Sequence, residues 1–471
     1  MIGREREKEI LARCLAADRP QFVAVLGRRR VGKTFLIKEF FRSKFAFYTT
    51  GLSSQKMQGQ LRAFHESLML SDDPNTAVPK DWFEAFSRLR QCLLRENVYR
   101  EPTSGKKVVF LDELPWMDTP KSDFKSALDY FWNSWGSSQE DLLLIVCGSA
   151  TSWMINHLLN DHGGFYNRIT RQIHLMPFSL LECEELLRHN GILLPRDQLI
   201  EYYMIFGGIP YYLNLMDERF SLIQNVDELC MKPYGDLYHE YDNLIRSLFK
   251  KPEKHLLILE ALSASKSGLT RKALTEIPAV GGGSVLTKNL LELEQSGFIR
   301  KYTRYPGKNE TMYQLMDPFT LFALRFLQKR DVSSWMQYYR SPSYYAWRGN
   351  AFEMVCLHHI RQLKYALGIS GVETREYGWQ SALPGLQAQV DLLIDRKDGV
   401  IHLCEMKCTD EPYVLSKEEY DQLQRRLSVF IQEVQPKKAV HLTLISANGI
   451  QPGKYNHVAQ NLLTGDDLFS V

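Results

Sequence analysis

The sequence predicts an α/β protein of several domains whose first part is built on a parallel sheet. Three observations lead there. Phe22–Leu26, Val108–Leu111 and Leu142–Cys147 are continuous apolar runs bounded by turn or polar residues, as expected of strands buried on both faces. Amphipathic stretches separate these runs, the alternation that parallel strands with covering helices produce. The chain has 471 residues, which at about 150 residues per domain suggests roughly three domains. Hydrophobic residues make up 44% and charged residues 24%, which excludes long disorder, collagen and a disulfide scaffold. A net charge of +3 is too small to announce a nucleic-acid binder from the total. MIGREREKEI has no apolar core and is not expected to be a signal peptide. No apolar run approaches the ~18 residues of a membrane span, so no membrane partner is expected. Eight cysteines without CxxC spacing fit a reduced, cytoplasmic compartment.

The first strand leads into GRRRVGKT, residues 27–34, which matches GxxxxGK[ST] in full. The helical pattern FLIKEFF follows at once, and this strand–loop–helix context gives the motif its weight. Gly27 and Gly32 allow the backbone to curl so that its N–H groups face phosphate oxygens, and the helix N-terminus adds positive potential. Lys33 is placed to reach the β- and γ-phosphates of ATP, and the Thr34 hydroxyl to ligate Mg²⁺. Arg28, Arg29, Arg30, Val31 and Phe35 complete the expected nucleotide-binding segment; the arginines suit phosphate, an acidic partner or nucleic acid equally.

The second strand ends in two carboxylates, Asp112 and Glu113. Asp112 is expected to hold Mg²⁺ and Glu113 to polarise the attacking water as general base. The third strand ends at Gly148-Ser149, where Ser149 reads equally as a γ-phosphate sensor or a turn serine.

From about Ser179 to Lys250 the pattern is helical. Residues 250–310 hold 11 Lys/Arg against 6 Asp/Glu, a net of +5 that leaves −2 for the remainder. Helices are predicted at Lys254–Ala264, Thr270–Ile277 and Ser284–Ser296, with Gly297 as C-cap and a hairpin of Phe298–Arg304 and Glu310–Leu315. This pattern resembles a winged helix. The resemblance implies a recognition helix presenting Ser284, Thr287, Lys288 and Asn289 to DNA. Arg300, Lys301, Arg304 and Lys308 would then lie on phosphates, with Arg271 and Lys272 beside the backbone. Protein packing is the competing use of such a module.

In the last third, Gly349–Glu353 opens a predicted amphipathic helix running to about Leu367. Asp391 sits inside the apolar strand pattern Gln389–Ile394, and Glu405-x-Lys407 inside Val400–Met406. A period of two puts Glu405 and Lys407 on one face. Asp391 and Glu405 supply oxygen ligands for Mg²⁺ or Mn²⁺, and Lys407 a group to orient or deprotonate water. Glu353 would complete the site from the helix. The alternative is a docking fold that retains a Glu405–Lys407 salt bridge. His358, His359 and His162 lack zinc-like spacing and read as packed or solvated. The aromatic segment Ser333–Trp347 reads as packing, as do Trp132, Trp135 and a buried Cys404.

Two family resemblances follow. Ile2-Gly3-Arg4-Glu5, GRRRVGKT, FLDE, CGSA, Arg168…MPFS and GGIP together resemble the archaeal-type ATPases, among the AAA+ and STAND P-loop ATPases, over about residues 1–245. The resemblance implies that Arg4 lies near the adenine and that Pro210, in a helical lid, approaches the base. It also implies an arginine finger at Arg168 or Arg171, in a homo-oligomer if it acts in trans. Glu in a helix, Asp in a strand and ExK in a strand resemble the PD-(D/E)xK nucleases over about residues 345–435, although Val390 stands where the family name has proline. The domains expected are an ATPase core at 1–178, a lid at 179–248, a winged helix at 249–318 and a nuclease-like domain at 319–471. The function expected is ATP hydrolysis coupled to DNA binding and cleavage. A nucleotide-controlled switch with a non-catalytic docking end, or a DNA-binding regulator, is the alternative.

Overall fold

The computed structural model describes residues 1–159, 167–249, 251–307, 310–328, 332–383 and 388–470. His162 and Lys308 lie outside the described residues. The chain forms two compact units, Met1–Met176 and Pro177–Val471.

The first unit is a five-stranded parallel sheet with helices on its faces. Its strands are β1 Gln21–Leu26, β2 Phe47–Thr50, β3 Lys107–Asp112, β4 Leu142–Cys147 and β5 Arg171–His174, in the order β2-β3-β4-β1-β5. The three apolar runs of the sequence are the three central strands, and every residue in them is buried. Strands β2 and β5 lie at the edges and are four residues each, partly exposed; they carry no apolar run long enough to mark them. One face is covered by an aromatic core in which Phe22 meets Trp132 and Trp82 meets Phe64 and Phe124. Trp132 and Trp135 are buried in that core. Because the strands are parallel, the C-terminal ends of β1, β3 and β4 lie side by side, where open α/β sheets hold their ligands.

The second unit begins with helices, among them Leu180–His189, Arg196–Phe206 and Glu240–Leu248. Ser179 caps the first of these through a reciprocal pair with Glu182. Next come helix Glu253–Ser263, β6 Leu269–Thr270, helices Arg271–Thr275 and Gly283–Gln295, β7 Ile299–Thr303 and β8 Thr311–Leu315. The three strands form a small antiparallel sheet in the order β6-β8-β7. Gly297 follows the last helix with φ 77°, the left-handed conformation expected of a C-cap.

The unit ends in a mixed sheet of β9 Thr374–Gln380, β10 Gln389–Arg396, β11 Val400–Lys407, β12 Ala439–Ser446 and β13 Asn461–Thr464. Strands β9, β10 and β11 are antiparallel; β11, β12 and β13 are parallel. Helix Lys417–Val434 supplies the β11–β12 crossover.

The helix expected to open at Gly349 instead runs from Pro342 to His358. Ser341 caps it by accepting the Tyr344 N–H at 3.2 Å, and Pro342 fits its first turn. A second short helix, Ile360–Ala366, follows the break at His359. The aromatic segment packs as expected, with Trp335, Tyr344 and Trp347 buried around Phe322 and Phe326. No helix among the described residues is long and apolar enough to cross a membrane.

Two residues of the basic module depart from their expected places. Asn289 is buried rather than presented on the outer face of its helix, because Leu286, Leu290 and Leu293 turn that side inward. Arg300 does not project from the hairpin. Its Nε donates to Gln314 Oε1 at 2.7 Å and its guanidinium lies 4.6 Å from the centre of the Tyr302 ring. Ser284, Thr287, Lys288, Lys301 and Lys272 are exposed.

Candidate functional site

At the mouth of the parallel sheet, the loop after β1 turns sharply into helix Lys33–Phe40. Gly27 has φ 145° and Gly32 φ 92°, values that side chains other than glycine's disfavour. A Cβ on Gly27 would also collide with the backbone oxygen of Leu175. The Arg4 guanidinium donates to the Val31 carbonyl at 3.1 Å, tying the N-terminal Gly3-Arg4-Glu5 segment to the loop. Val31, Arg4 and Arg28 are buried, whereas Arg29 and Phe35 are exposed. Arg30 takes a left-handed conformation with φ 72°.

Lys33 is buried and folds back over the loop, donating from Nζ to the carbonyls of Gly27 at 2.9 Å and Arg28 at 3.0 Å. Burial pushes its pKa down, while the nearby carboxylates of Glu113 and Asp112 work against that shift. The Thr34 hydroxyl donates to the two Asp112 oxygens at 3.0 and 2.9 Å. A hydroxyl and a carboxylate this close form an oxygen set suited to a hard divalent cation. Burial raises the Asp112 carboxyl above the ordinary carboxylate range.

Strand β4, lying between β1 and β3, adds two groups. Cys147 Sγ donates to Asp112 Oδ1 at 2.6 Å. Burial holds its thiol well above the ordinary cysteine value, so it stays a donor. Two residues on, Ser149 donates to Glu113 Oε2 from its backbone N–H at 3.1 Å and its hydroxyl at 2.9 Å. Lys33, Thr34, Asp112, Glu113 and Ser149, predicted from three separate segments, thus meet at the ends of adjacent strands. Cys147 was missed because, inside an apolar run, it reads as one more core residue. Arg168 and Arg171 are exposed at the β5 edge of this unit. In the second unit, Pro210 opens the short helix Pro210–Leu213, just after Gly208, whose missing side chain lets it pack on the Phe178 backbone.

The second unit gathers the remaining predicted residues. Leu392 pairs with Cys404 across β10 and β11, so Asp391 and Glu405 are cross-strand neighbours on one face. Glu353, on helix Pro342–His358, is buried with its carboxyl pushed up to about 8, first by burial and then by Asp391, against the pull of Lys266. The Lys266 ammonium pairs with Glu353 and lies 3.3 Å from Asp391 Oδ2. Glu405 pairs with Arg426 and, at 3.2 Å, with Lys407, which also lies 3.7 Å from Glu419. Among the described residues no three His, Cys, Asp or Glu side chains come together as a metal-binding group. Lys266 and Arg426 had no signal in the sequence, since isolated basic residues in a turn and a helix read as surface. His358 and His359 are packed: His358 Nε2 lies 2.6 Å from the Met316 carbonyl oxygen, and His359 Nε2 accepts the Leu180 N–H at 2.9 Å.

Residues 1–216 match the family described as an ATPase domain predominantly from Archaea. A relative in Methanocaldococcus jannaschii, itself an uncharacterized protein, is 24% identical over 338 residues, 69% of this chain and 68% of its own length. Among solved structures, a Walker-type ATPase of Pyrococcus abyssi superposes with a TM-score of 0.50 at 18% identity, covering 69% of this chain and 96% of that one. The ORC2 protein of Aeropyrum pernix, in its ADPNP–ADP complexes, is also similar, with a TM-score of 0.41 at 14% identity over 69% of this chain and 93% of that one. Residues 1–216 thus match an archaeal ATPase domain, and the loop, carboxylates and serine that converge at the strand ends lie within the matched region.

Proposed function

We propose that the protein binds and hydrolyses ATP with Mg²⁺ and couples its nucleotide state to DNA binding and metal-dependent DNA cleavage. One observation carries the hydrolytic part: Thr34 and Asp112 touch at one strand end, while Ser149 orients Glu113 beside them. In this reading the loop N–H groups and Lys33 hold the phosphates, and Thr34 and Asp112 hold Mg²⁺, which neutralises charge on the phosphates. Glu113 takes the proton of the attacking water. Ser149 positions Glu113 and senses the γ-phosphate.

The DNA-binding part is supported by the element order helix, β6, helix, helix, β7, β8, which is that of a winged helix, and by the +5 charge of residues 250–310. Ser284, Thr287, Lys288, Lys301 and Lys272 are the exposed candidates for contact. The cleavage part is supported by Glu353, Asp391, Glu405 and Lys407 lying on a helix and two paired strands. Asp391 and Glu405 would hold Mg²⁺ or Mn²⁺ as oxygen ligands, with Lys407 to activate water.

A second reading is a nucleotide-controlled switch whose end domain docks without chemistry. It is favoured by the engagement of the carboxylates with Lys266, Arg426 and Lys407. Plasmid and linear DNA incubated with Mn²⁺ or Mg²⁺, with and without ATP, separates the two. Cleavage by the wild type that is absent from Lys407→Ala supports the nuclease. No cleavage above that control, with function indifferent to Glu405→Ala and tight retention of ADP, supports the switch.

A further inference from the structure

We propose that Lys266 is a built-in plug of the carboxylate cluster: its ammonium sits against Glu353 and Asp391, so that the cluster's carboxylates, Asp391 among them, would hold a divalent cation only when Lys266 withdraws. This deepens the metal-site reading above and rests on it. Lys266 belongs to the basic module, not to the end domain, and it reaches the cluster from the turn between helix Glu253–Ser263 and β6.

The module presents this lysine firmly. Gln314 Nε2 donates to the Lys266 carbonyl at 2.6 Å, and the Tyr302 hydroxyl to the Ser267 carbonyl at 2.5 Å. Ser265 Oγ donates to the Gly268 carbonyl at 2.8 Å. Gly268, at φ 74°, lies so close to Tyr313 that a Cβ would collide with its backbone oxygen. The turn is therefore clamped by β7 and β8. That hairpin is in turn joined to β9: the Tyr305 N–H donates to the Gly378 carbonyl at 2.8 Å, and Arg304 bridges to Gly378. Arg300, packed on Tyr302 and Gln314, braces the same two residues.

The charge balance at the cluster suits a divalent ion better than an ammonium. Two carboxyl groups face one ammonium; with Lys266 withdrawn, the pair ionised would carry −2, which one divalent cation balances and one ammonium does not. Glu353 Oε2 is buried and makes no hydrogen bond, an unused acceptor in a place where such atoms are costly. Asp391 Oδ1 is held by Gln389 Nε2 at 2.5 Å, leaving Oδ2 turned to Lys266. The Lys266 side chain is about half exposed (49%), so it can leave toward solvent while Glu353 cannot. With the turn still clamped, rotation of the Lys266 side chain into solvent would open the cluster to metal.

The test is Mn²⁺ binding to the full chain without nucleotide, by electron paramagnetic resonance, for wild type, Lys266→Met and Lys266→Met/Asp391→Asn. Methionine keeps the stem and removes the charge. Losing a competing cation a few ångströms from the ligands is expected to tighten Mn²⁺ binding by about tenfold or more, and adding Asp391→Asn should abolish that gain. If wild type and Lys266→Met bind Mn²⁺ equally through Asp391, the metal site stands and the plug does not. If neither binds, both readings fall.

Discussion

Replacing Gly27 by alanine tests whether the geometry of the phosphate loop, rather than its charge, makes the site. Gly27 combines two constraints. Its φ of 145° costs an L-residue about 1–3 kcal/mol. Its absent side chain also leaves room for the Leu175 carbonyl and, at 3.2 Å, for Val31 Cγ2. A new Cβ would lie well inside the 3.0 Å that real Cβ contacts respect, so the loop must move by on the order of half an ångström or more. The moving part includes the Gly27 carbonyl that accepts Lys33 Nζ at 2.9 Å. Misplacement on this scale costs roughly ten- to a hundredfold in a positioned site. Gly27→Ala is therefore expected to weaken ATP binding by that factor, measured by fluorescent-nucleotide titration. Gly105→Ala is the control: it has φ 70° but open space around its Cβ position, so it should lower thermal stability slightly and leave nucleotide affinity alone. Wild-type affinity in a folded Gly27→Ala protein would refute the reasoning.

Other outcomes follow from the same geometry. Glu113→Gln keeps a side-chain acceptor for Ser149 but removes the base, so single-turnover ATP hydrolysis should fall by about 10²–10⁴ while ATP affinity changes only a few-fold; normal hydrolysis would remove Glu113 as base. Lys288→Ala should reduce the slope of DNA affinity against salt by about 1. Arg300→Ala, whose side chain packs on Tyr302 and Gln314, should leave that slope unchanged and lower the melting temperature. His359 is buried and neutral, its pKa held down to about 4 from 6.5, chiefly by burial. The unfolded chain takes up a proton below 6.5 that the folded chain refuses, so this contribution is complete above 6.5 and is lost as pH falls toward 4. Urea unfolding at pH 7.5 and pH 5 should differ by up to about 2 kcal/mol from this group, and His359→Gln should shrink the difference.

The parallel sheet was legible because its three central strands are buried on both faces and so read as unbroken apolar runs. Its edge strands were not, because Arg171–His174 has only Ile173 buried. The ATP site was legible because each part is a local motif at a strand end. The partners of the motif residues were not: Cys147 reaches Asp112 from the neighbouring strand, a contact made by topology. The basic module shows the same division. Its helices follow from leucine spacing, but charge alone cannot tell the exposed Lys288 from Arg300, turned inward onto Tyr302. At the carboxylate cluster, order along the chain found Glu353, Asp391, Glu405 and Lys407. Lys266, 87 residues before Glu353, is brought in only by the packing of the module.

The central claim is that residues 27–34, Asp112, Glu113 and Ser149 form one hydrolytic ATP site. Release of phosphate from ATP by the full chain in Mg²⁺, wild type against Lys33→Ala, tests it most directly. The account predicts Mg²⁺-dependent turnover by the wild type and none by the folded variant. Equal turnover in both, or binding of ATP by the wild type without any hydrolysis, would contradict it.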